Sequence, residues 1–443
     1  VPSDETIFAL ASGFGRAGIA VIRISGPAAA AALGALLDPR PQPDLPKPRR
    51  ASLRRLFDSV SGELLDQALV LWLPGPGTFT GEDQAELHIH GGLAVRAAVI
   101  AALSRIPDCR MAEPGEFTRR AFVKGRLDLS AVEGLADLID AETEAQRRQA
   151  LRQLEGALAS QVQDWRRRLI EASACLEAAL DFTDEEDVPA EIAAQALGLM
   201  AEVRKEIAAA LADAARGERL RDGFTVVIAG PPNSGKSTLL NALARRDVAI
   251  VSPIAGTTRD AIEVRCDLGG LPVTFVDTAG LHDTLDPIEH AGIARTEAHI
   301  EKADLVLWLR PADASGPEAS REPLRSIGVR TKADLANGAP ISGELAISAK
   351  TGSGIDGLID RVRQEAEATL GGGDALITRE RHRIALSETA DALKRAEAVL
   401  GAGQDELAAE DLRLALRALG RITGQVDVEE VLDRIFGQFC IGK

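Results

Sequence analysis

No apolar run in this chain approaches the ~20 residues needed to cross a bilayer. The opening stretch "VPSDETIFAL" lacks the basic segment that begins a secretory signal. A cytoplasmic protein with no membrane attachment is expected. Cysteine is scarce: four residues, Cys109, Cys175, Cys266 and Cys440, with no C-x-x-C pair among them. That scatter excludes a zinc ribbon and argues against a disulfide framework. A basic excess is missing too, since 51 Lys and Arg face 67 Asp and Glu for a formal charge of −16. Nonspecific nucleic-acid binders need a basic footprint, so nucleic acid is left a local patch or a second protein as its route. No fixed-period repeat is present.

What is present suits a multidomain protein, because 443 residues exceed the reach of one hydrophobic core. Residues 1–125 read as mixed α/β: "IAVIRISG" and "AELHIHGG" alternate like half-buried strands, and "GLAVRAAVIAAL" reads as a helix. The Pro- and charge-rich residues 39–50 read as an exposed loop. From 126 to 217 the texture is helical. Leu151, Leu154, Leu158, Val162, Trp165, Leu169, Leu176 and Leu180 predict one long apolar stripe. "DFTDEEDVPA" interrupts it, with Pro189 suited to the first turn of a new helix. Residues 218–374 switch to short apolar strands, "FTVVIAG", "VTFVDTAG" and "DLVLWLR", separated by helical stretches, the pattern of a mainly parallel sheet. Residues 375–443 are helical again. The reading is an α/β domain inserted into a helical one.

The stretch "VVIAGPPNSGKST" holds G-x-x-x-x-G-K-S at Gly230, Gly235, Lys236 and Ser237, between an apolar strand and a helix. In that context backbone N–H groups from Asn233 to Thr238, Ser234 among them, cradle phosphate oxygens. Lys236 neutralises the β- and γ-phosphates, and Ser237 ligates Mg²⁺. A rival, G-x-G-x-x-G at Gly13, Gly15 and Gly18, is followed by a strand-like run, so a pyrophosphate there would meet no helix N-terminus.

Four further stretches favour guanine. "AGTTRD" offers Thr258 as a second Mg²⁺ hydroxyl. "DTAG" places Asp277 near the metal, with Thr278, Ala279 and Gly280 near the γ-phosphate. "TKAD" supplies Thr331, Lys332 and Asp334, whose carboxylate accepts from guanine N1–H and N2–H₂. "SAK", Ser348, Ala349 and Lys350, sits where a loop closes over the base. Together these five resemble the signatures of the P-loop, Ras-like GTPases. Two departures stand out. Thr331 replaces the Asn usual in the base motif, which puts base affinity in question. Leu281 follows D-x-x-G where a water-orienting Gln is common, so Asp283, Asp286 or Glu289 must supply that role. No arginine finger is evident.

The last residues read "FCIGK". Lys443 and Gly442 make a poor prenylation box around Cys440. A buried thiol is the plain alternative, while Phe436 and Phe439 are suited to pin the tail by packing.

The inserted GTPase, "FTGEDQAELHIHGG", "EPGEFTRRAFVKGRLDLSAVEGLADLIDA" and the terminal Cys-x-Gly-Lys together resemble the MnmE (TrmE) family of tRNA uridine-modification GTPases along essentially the whole chain. The resemblance implies an N-terminal α/β folate-binding and dimerisation domain, a helical domain in two parts and the inserted GTPase domain. It implies a homodimer working with the flavoprotein MnmG (GidA) in a heterotetramer or larger complex, with tRNA held largely by that partner. It implies that a one-carbon unit from 5-formyl- or 5,10-methylene-tetrahydrofolate goes into an aminomethyl-type group at C5 of the wobble uridine. The resemblance further implies a potassium-activated GTPase, with the ion on Asn233, Ser252, Ile254 and Thr257 and the water oriented by Glu289. Folate contacts fall on Arg23, Glu86, Arg126 (where the family can have Lys) and Lys443. The tail is then expected to dock at the folate site with Cys440 serving the modification chemistry. Read without the family, Glu86 and Arg23 are solvated strand-face charges, Asn233 a turn residue and Glu289 a helix-face charge. The alternative function is a regulatory ribosome-assembly GTPase, a class whose RNA-binding appendage the acidic balance disfavours.

Overall fold

The computed structural model describes residues 5–13, 15–37, 44–181, 188–250, 262–277, 300–301, 303–312, 325–335, 344–371, 375–426, 429–439 and 441–442. They form two compact units, one of residues 1–136 with 420–443 and the other of residues 137–419.

The first unit is built on a six-stranded sheet of β1 (Thr6–Leu10), β2 (Ile19–Ser25), β3 (Ser52–Phe57), β4 (Leu64–Leu73), β5 (Gln84–His90) and β6 (Cys109–Met111), in the order β3-β4-β5-β2-β1-β6. All neighbours are antiparallel except β1 with β6. Strand alternation sends successive side chains to opposite faces. Phe8, Ile22, Ile24, Val70, Leu87 and Ile89 therefore join Leu33, Leu36, Val99 and Leu103, from helices Ala29–Leu37 and Leu93–Ser104, in one core. The other face carries a smaller cluster of Ile7, Ala9, Ala112 and Phe117, with Phe79 against it, under helix Glu116–Val123. A third cluster joins Leu129 and Val132 to Ile435, Phe436 and Phe439. The aromatic packing expected of the tail is thus present, with Phe436 ring centroids 6.2 Å from Phe122 and 6.4 Å from Phe439.

In the second unit, β7 (Phe224–Ala229), β8 (Ile262–Asp267), β9 (Pro272–Asp277), β10 (Leu305–Pro311), β11 (Ser326–Thr331) and β12 (Leu345–Ala346) form a sheet in the order β12-β11-β10-β7-β9-β8. Only β8 runs antiparallel to its neighbour. Central β7 is apolar on both faces, Val226 and Ile228 packing with Leu239, Leu243, Phe275, Leu307 and Val362. This is the mainly parallel sheet that the sequence pattern predicts.

The helical stripe differs from its prediction. Helix Glu144–Leu154 ends before Gly156, which has φ 87, and a separate helix spans Ala157–Asp181. Leu158, Val162, Trp165, Leu169 and Leu176 are buried as expected, but Leu151 and Leu154 are only half-buried. Gln149 and Gln153 take the buried positions instead, their amides donating to the main-chain carbonyls of Gly217 and Leu376 on other stretches of the chain. Helix Val188–Ala212 begins beside Pro189, and Met200, Val203 and Ile207 are its buried face.

Candidate functional site

Strand β7 ends at Ala229 and the chain turns through Gly230 to Gly235 into helix Lys236–Ala244. The turn needs unusual backbone: Gly230 has φ 151, Asn233 φ 61 and Gly235 φ 95. A Cβ at Gly230 would lie 2.6 Å from the Leu309 carbonyl on neighbouring β10, so only glycine fits there. The result is a loop of backbone N–H groups feeding the positive end of a helix, an anion cradle. Ser234 is buried, and its hydroxyl has no hydrogen-bond partner among the described residues. Lys236 donates to the carbonyls of Gly230 and Pro231 at 3.0 and 3.1 Å. Burial lowers its pKa from the ordinary lysine value, with the Asp277 charge opposing that shift.

Asp277 closes β9 and is fully buried, and the Ser237 hydroxyl donates to its carboxylate at 2.7 Å. A hydroxyl beside a carboxylate, both hard oxygen donors at a phosphate cradle, suits Mg²⁺.

The base motif lies at the end of β11. Thr331 is buried and its hydroxyl donates to the Ser234 carbonyl at 2.6 Å. The residue that departs from the usual Asn therefore still ties this loop to the phosphate loop. Lys332 takes φ 57, and Asp334 sits exposed in the 3₁₀ turn Ala333–Leu335. A hydrogen bond from Ser348, with Lys350 nearby, holds the Asp334 carboxyl below the usual carboxylate range despite some desolvation. Ala333 N–H donates to the Ile347 carbonyl at 3.0 Å, which joins the 331–334 and 348–350 loops. Asn233, Ser234, Gly235, Lys236, Ser237, Asp277, Thr331, Asp334 and Ser348 thus gather at the carboxyl ends of the parallel strands, the ligand-binding edge of such sheets. Thr238 is exposed on the helix that follows. Ser252, Ile254, Thr257, Thr258, Thr278, Ala279, Gly280, Asp283, Asp286 and Glu289 lie outside the described residues.

A second constellation occupies the first unit. Arg23 on β2 stands opposite Glu86 on β5, and its Nε and Nη2 donate to Glu86 Oε1 at 3.1 and 3.0 Å. The guanidinium also lies 5.7 Å from the Phe79 ring centroid and 5.9 Å from that of Phe117, a cation–π arrangement. The far oxygen of Glu86 is 3.6 Å from His88 Nε2, which is buried without a hydrogen-bond partner among the described residues. Arg23 and Glu86 keep part of their side-chain surface exposed, beside the half-buried Phe79, and such a pair can meet the N–H and amino groups of a flat, polar heterocycle, while Phe117, fully buried, backs the guanidinium from the core. Sequence reasoning placed Glu86 and His88 on one face but missed Phe79, Phe117 and the pairing with Arg23. Alternation is the signal for the first. The pairing of residues 63 apart needs the strand register.

A buried ionic network backs this face. Arg120 donates to Glu82 Oε2 at 3.1 Å and to Glu116 Oε1 at 2.9 Å, and the Ser25 hydroxyl donates to Glu82 at 2.8 Å. Burial opposes ionisation of Glu116, but Arg110, the Glu113 N–H and Arg120 outweigh it and lower its pKa. Arg126 is exposed. Ile441 forms an antiparallel bridge to Pro114, and Gly442 backs onto the Leu10 carbonyl at the end of β1. Cys440 and Lys443 lie outside the described residues.

The chain matches the family model described as the MnmE helical domain over residues 129–440 and that of the GTP-binding protein TrmE N-terminus over residues 6–126. It is 62% identical over 442 residues to the tRNA modification GTPase MnmE of Methylorubrum populi, covering 99% of this chain and 98% of the relative. To the protein of that name from Methylobacterium sp. strain 4-46 it is 62% identical over 443 residues, covering 99% of this chain and 100% of the relative. A crystal structure of Aquifex aeolicus Era bound to GDP and AlF4⁻ is 26% identical with a TM-score of 0.27, covering 38% of this chain and 66% of that one.

Proposed function

The chain belongs to the MnmE family of tRNA modification GTPases, and from that premise we propose that it is the GTP-hydrolysing subunit of a complex that modifies wobble uridine in tRNA. The observation that carries the hydrolase reading is the phosphate loop itself, with Ser237 on Asp277 and Thr331 on Ser234. These contacts support GTP bound with its phosphates on the N–H groups of residues 233–238 and its guanine on Asp334. In this reading Ser237 and Thr258 hold Mg²⁺, which would offset charge on the phosphates. Asn233, Ser252, Ile254 and Thr257 would hold K⁺, which would supply the positive charge of the missing arginine finger. Glu289 orients the attacking water, since Leu281 cannot.

The uridine chemistry belongs to the other constellation. We assign Arg23, Glu86, Arg126 and Lys443 to a tetrahydrofolate derivative, which supplies the one-carbon unit when bound. The partly exposed Arg23–Glu86 pair and the half-buried Phe79 beside it support that assignment. The placement of Ile441 and Gly442 against the same sheet supports a tail that delivers Cys440 to that chemistry. The product is a carboxymethylaminomethyl-type group at C5 of uridine 34, made with the flavoprotein MnmG as partner, in the cytoplasm, by a homodimer. The segment 218–374 is the inserted GTPase domain, 126–217 and 375–443 the two parts of the helical domain, and 1–125 the folate and dimerisation domain.

The test is GTP turnover by the full-length protein in KCl and NaCl at equal ionic strength. Turnover is expected to be faster in KCl, to require guanine, and to lose its cation preference in Asn233→Ala. Equal rates in both salts, or ATP used as readily as GTP, would overturn the assignment.

A further inference from the structure

Three glutamines line one side of helix Glu144–Leu154. Gln146 Nε2 donates to the Arg221 carbonyl at 3.0 Å and Gln149 Nε2 to the Gly217 carbonyl at 3.0 Å. Gln153 Nε2 donates to the Leu376 carbonyl at 2.8 Å and to Thr378 Oγ1 at 3.2 Å. Spacings of three and four residues put all three on a single face. Their targets lie on two different stretches of chain. Gly217 and Arg221 belong to helix Ala214–Asp222, which runs directly into β7 and the phosphate loop. Leu376 and Thr378 belong to the segment that leads out of the GTPase lobe into helix Glu380–Leu400.

Asp137 binds both stretches as well, accepting from Arg221 Nε at 2.9 Å and from Arg379 Nη2 at 2.6 Å. The two stretches are pressed together: a Cβ at Gly217 would fall 2.0 Å from the Ile377 carbonyl, so glycine permits the approach. Burying glutamine is costly unless its amide is bonded. A helix that merely filled space would carry leucine at positions 149 and 153.

The same helix bears on the lobe at its other end. Ala145 N–H donates to the Gly270 carbonyl at 3.0 Å, and Glu142 pairs with Arg265 at 3.2 Å. Gly270 sits in the turn joining β8 to β9, and β9 ends at Asp277, the partner of Ser237. In sequence the β8–β9 hairpin lies between Thr258 and Gly280.

We propose that helix Glu144–Leu154 is a positioning element that grips both ends of the GTPase lobe with its glutamine face and reads the nucleotide state through the β8–β9 turn. The proposal rests on the nucleotide-binding reading above. Movement of β9 at Asp277 would displace the Gly270 turn against Ala145, and the glutamine face would carry that displacement to residues 214–222 and 375–379 together.

Hydrogen exchange of the full-length protein, followed by mass spectrometry, tests this in two arms. Without nucleotide, Gln149→Met with Gln153→Met should raise exchange in 214–222 and 375–379 about tenfold, as local opening becomes easier. With GDP against a non-hydrolysable GTP analogue, helix 144–154 of the native protein should change its protection. The double variant should bind both nucleotides with unaltered affinity and no longer pass that change on to residues 214–222 and 375–379. Equal protection of 144–154 in the two nucleotide states, or a double variant that exchanges like the native protein, would overturn the proposal. A failure of nucleotide binding itself, seen separately by titration, would instead remove the reading on which the second arm stands, while the first arm would still decide the grip. Should the double variant not fold, Asp137→Asn keeps the side-chain shape and replaces it, and unchanged exchange at 375–379 would then overturn the grip.

Discussion

The two constellations of this chain differ in how they are made. The phosphate loop is a contiguous stretch whose function is carried by backbone N–H groups and three unusual φ values between Gly230 and Gly235. The sheet-face site is carried by side chains from β2, β5, the loop holding Phe79 and helix Glu116–Val123, brought together only by register and packing. A site made from backbone announces itself in sequence, because the spacing of glycines is the geometry. A site assembled from distant strands does not, because each contributor alone is an ordinary strand-face charge.

Substitutions that touch one site and spare the other sharpen this comparison. The largest effect is expected from Lys236→Ala, which removes the positive charge from the cradle. Steady-state GTP turnover should fall on the order of 10²–10³-fold, with binding of a tetrahydrofolate derivative unaltered. A parallel loss of folate binding would show that the two sites are not separable.

Next is Glu86→Gln. It removes a charge-assisted hydrogen bond worth roughly 1.5–3 kcal/mol to a bound heterocycle, so titration should show folate affinity dropping at least tenfold. Thermal stability should fall by only about 1 kcal/mol, because the largely buried Arg23 guanidinium loses a charged acceptor but keeps the glutamine's amide oxygen. Intact affinity in the glutamine variant would return Glu86 to a solvated strand face.

Asp334→Asn should lower guanine discrimination roughly 10–100-fold and shift preference toward xanthosine triphosphate, since an amide donates where the carboxylate only accepts. Competition between the two nucleotides measures it, and an unaltered preference for GTP would mean that Asp334 does not read the base. The smallest effect belongs to Thr331→Val, which keeps the shape and deletes the bond to Ser234. It should lower stability by about 1 kcal/mol in denaturant unfolding and weaken nucleotide binding several-fold. No change in either would make the 2.6 Å contact incidental.

The same contrast explains how much was legible. The strand–loop–helix context of Lys236, the parallel strands of the second unit and the facing of Leu87 and Ile89 to the core follow from periodicity and turn chemistry alone. Thr331 reads in sequence as a defect. Only its hydroxyl's reach to the Ser234 carbonyl shows that the tether survives. Gln149 and Gln153 read as the polar side of a helix because hydrophobicity is the signal that periodicity uses, and a buried amide whose N–H donates to a distant carbonyl carries none. Phe79 and Phe117 sit in stretches already singled out for their family likeness, yet nothing in their spacing points at Arg23.

The central claim is that GTP hydrolysis by this chain drives modification of wobble uridine. The most direct measurement is mass spectrometry of position 34 in tRNA from cells lacking the protein, and from such cells supplied with the native chain or with Lys236→Ala. The account predicts that the C5 substituent disappears without the protein, returns with the native chain and stays absent with Lys236→Ala. A full C5 substituent in cells lacking the protein, or full restoration by Lys236→Ala, would contradict it.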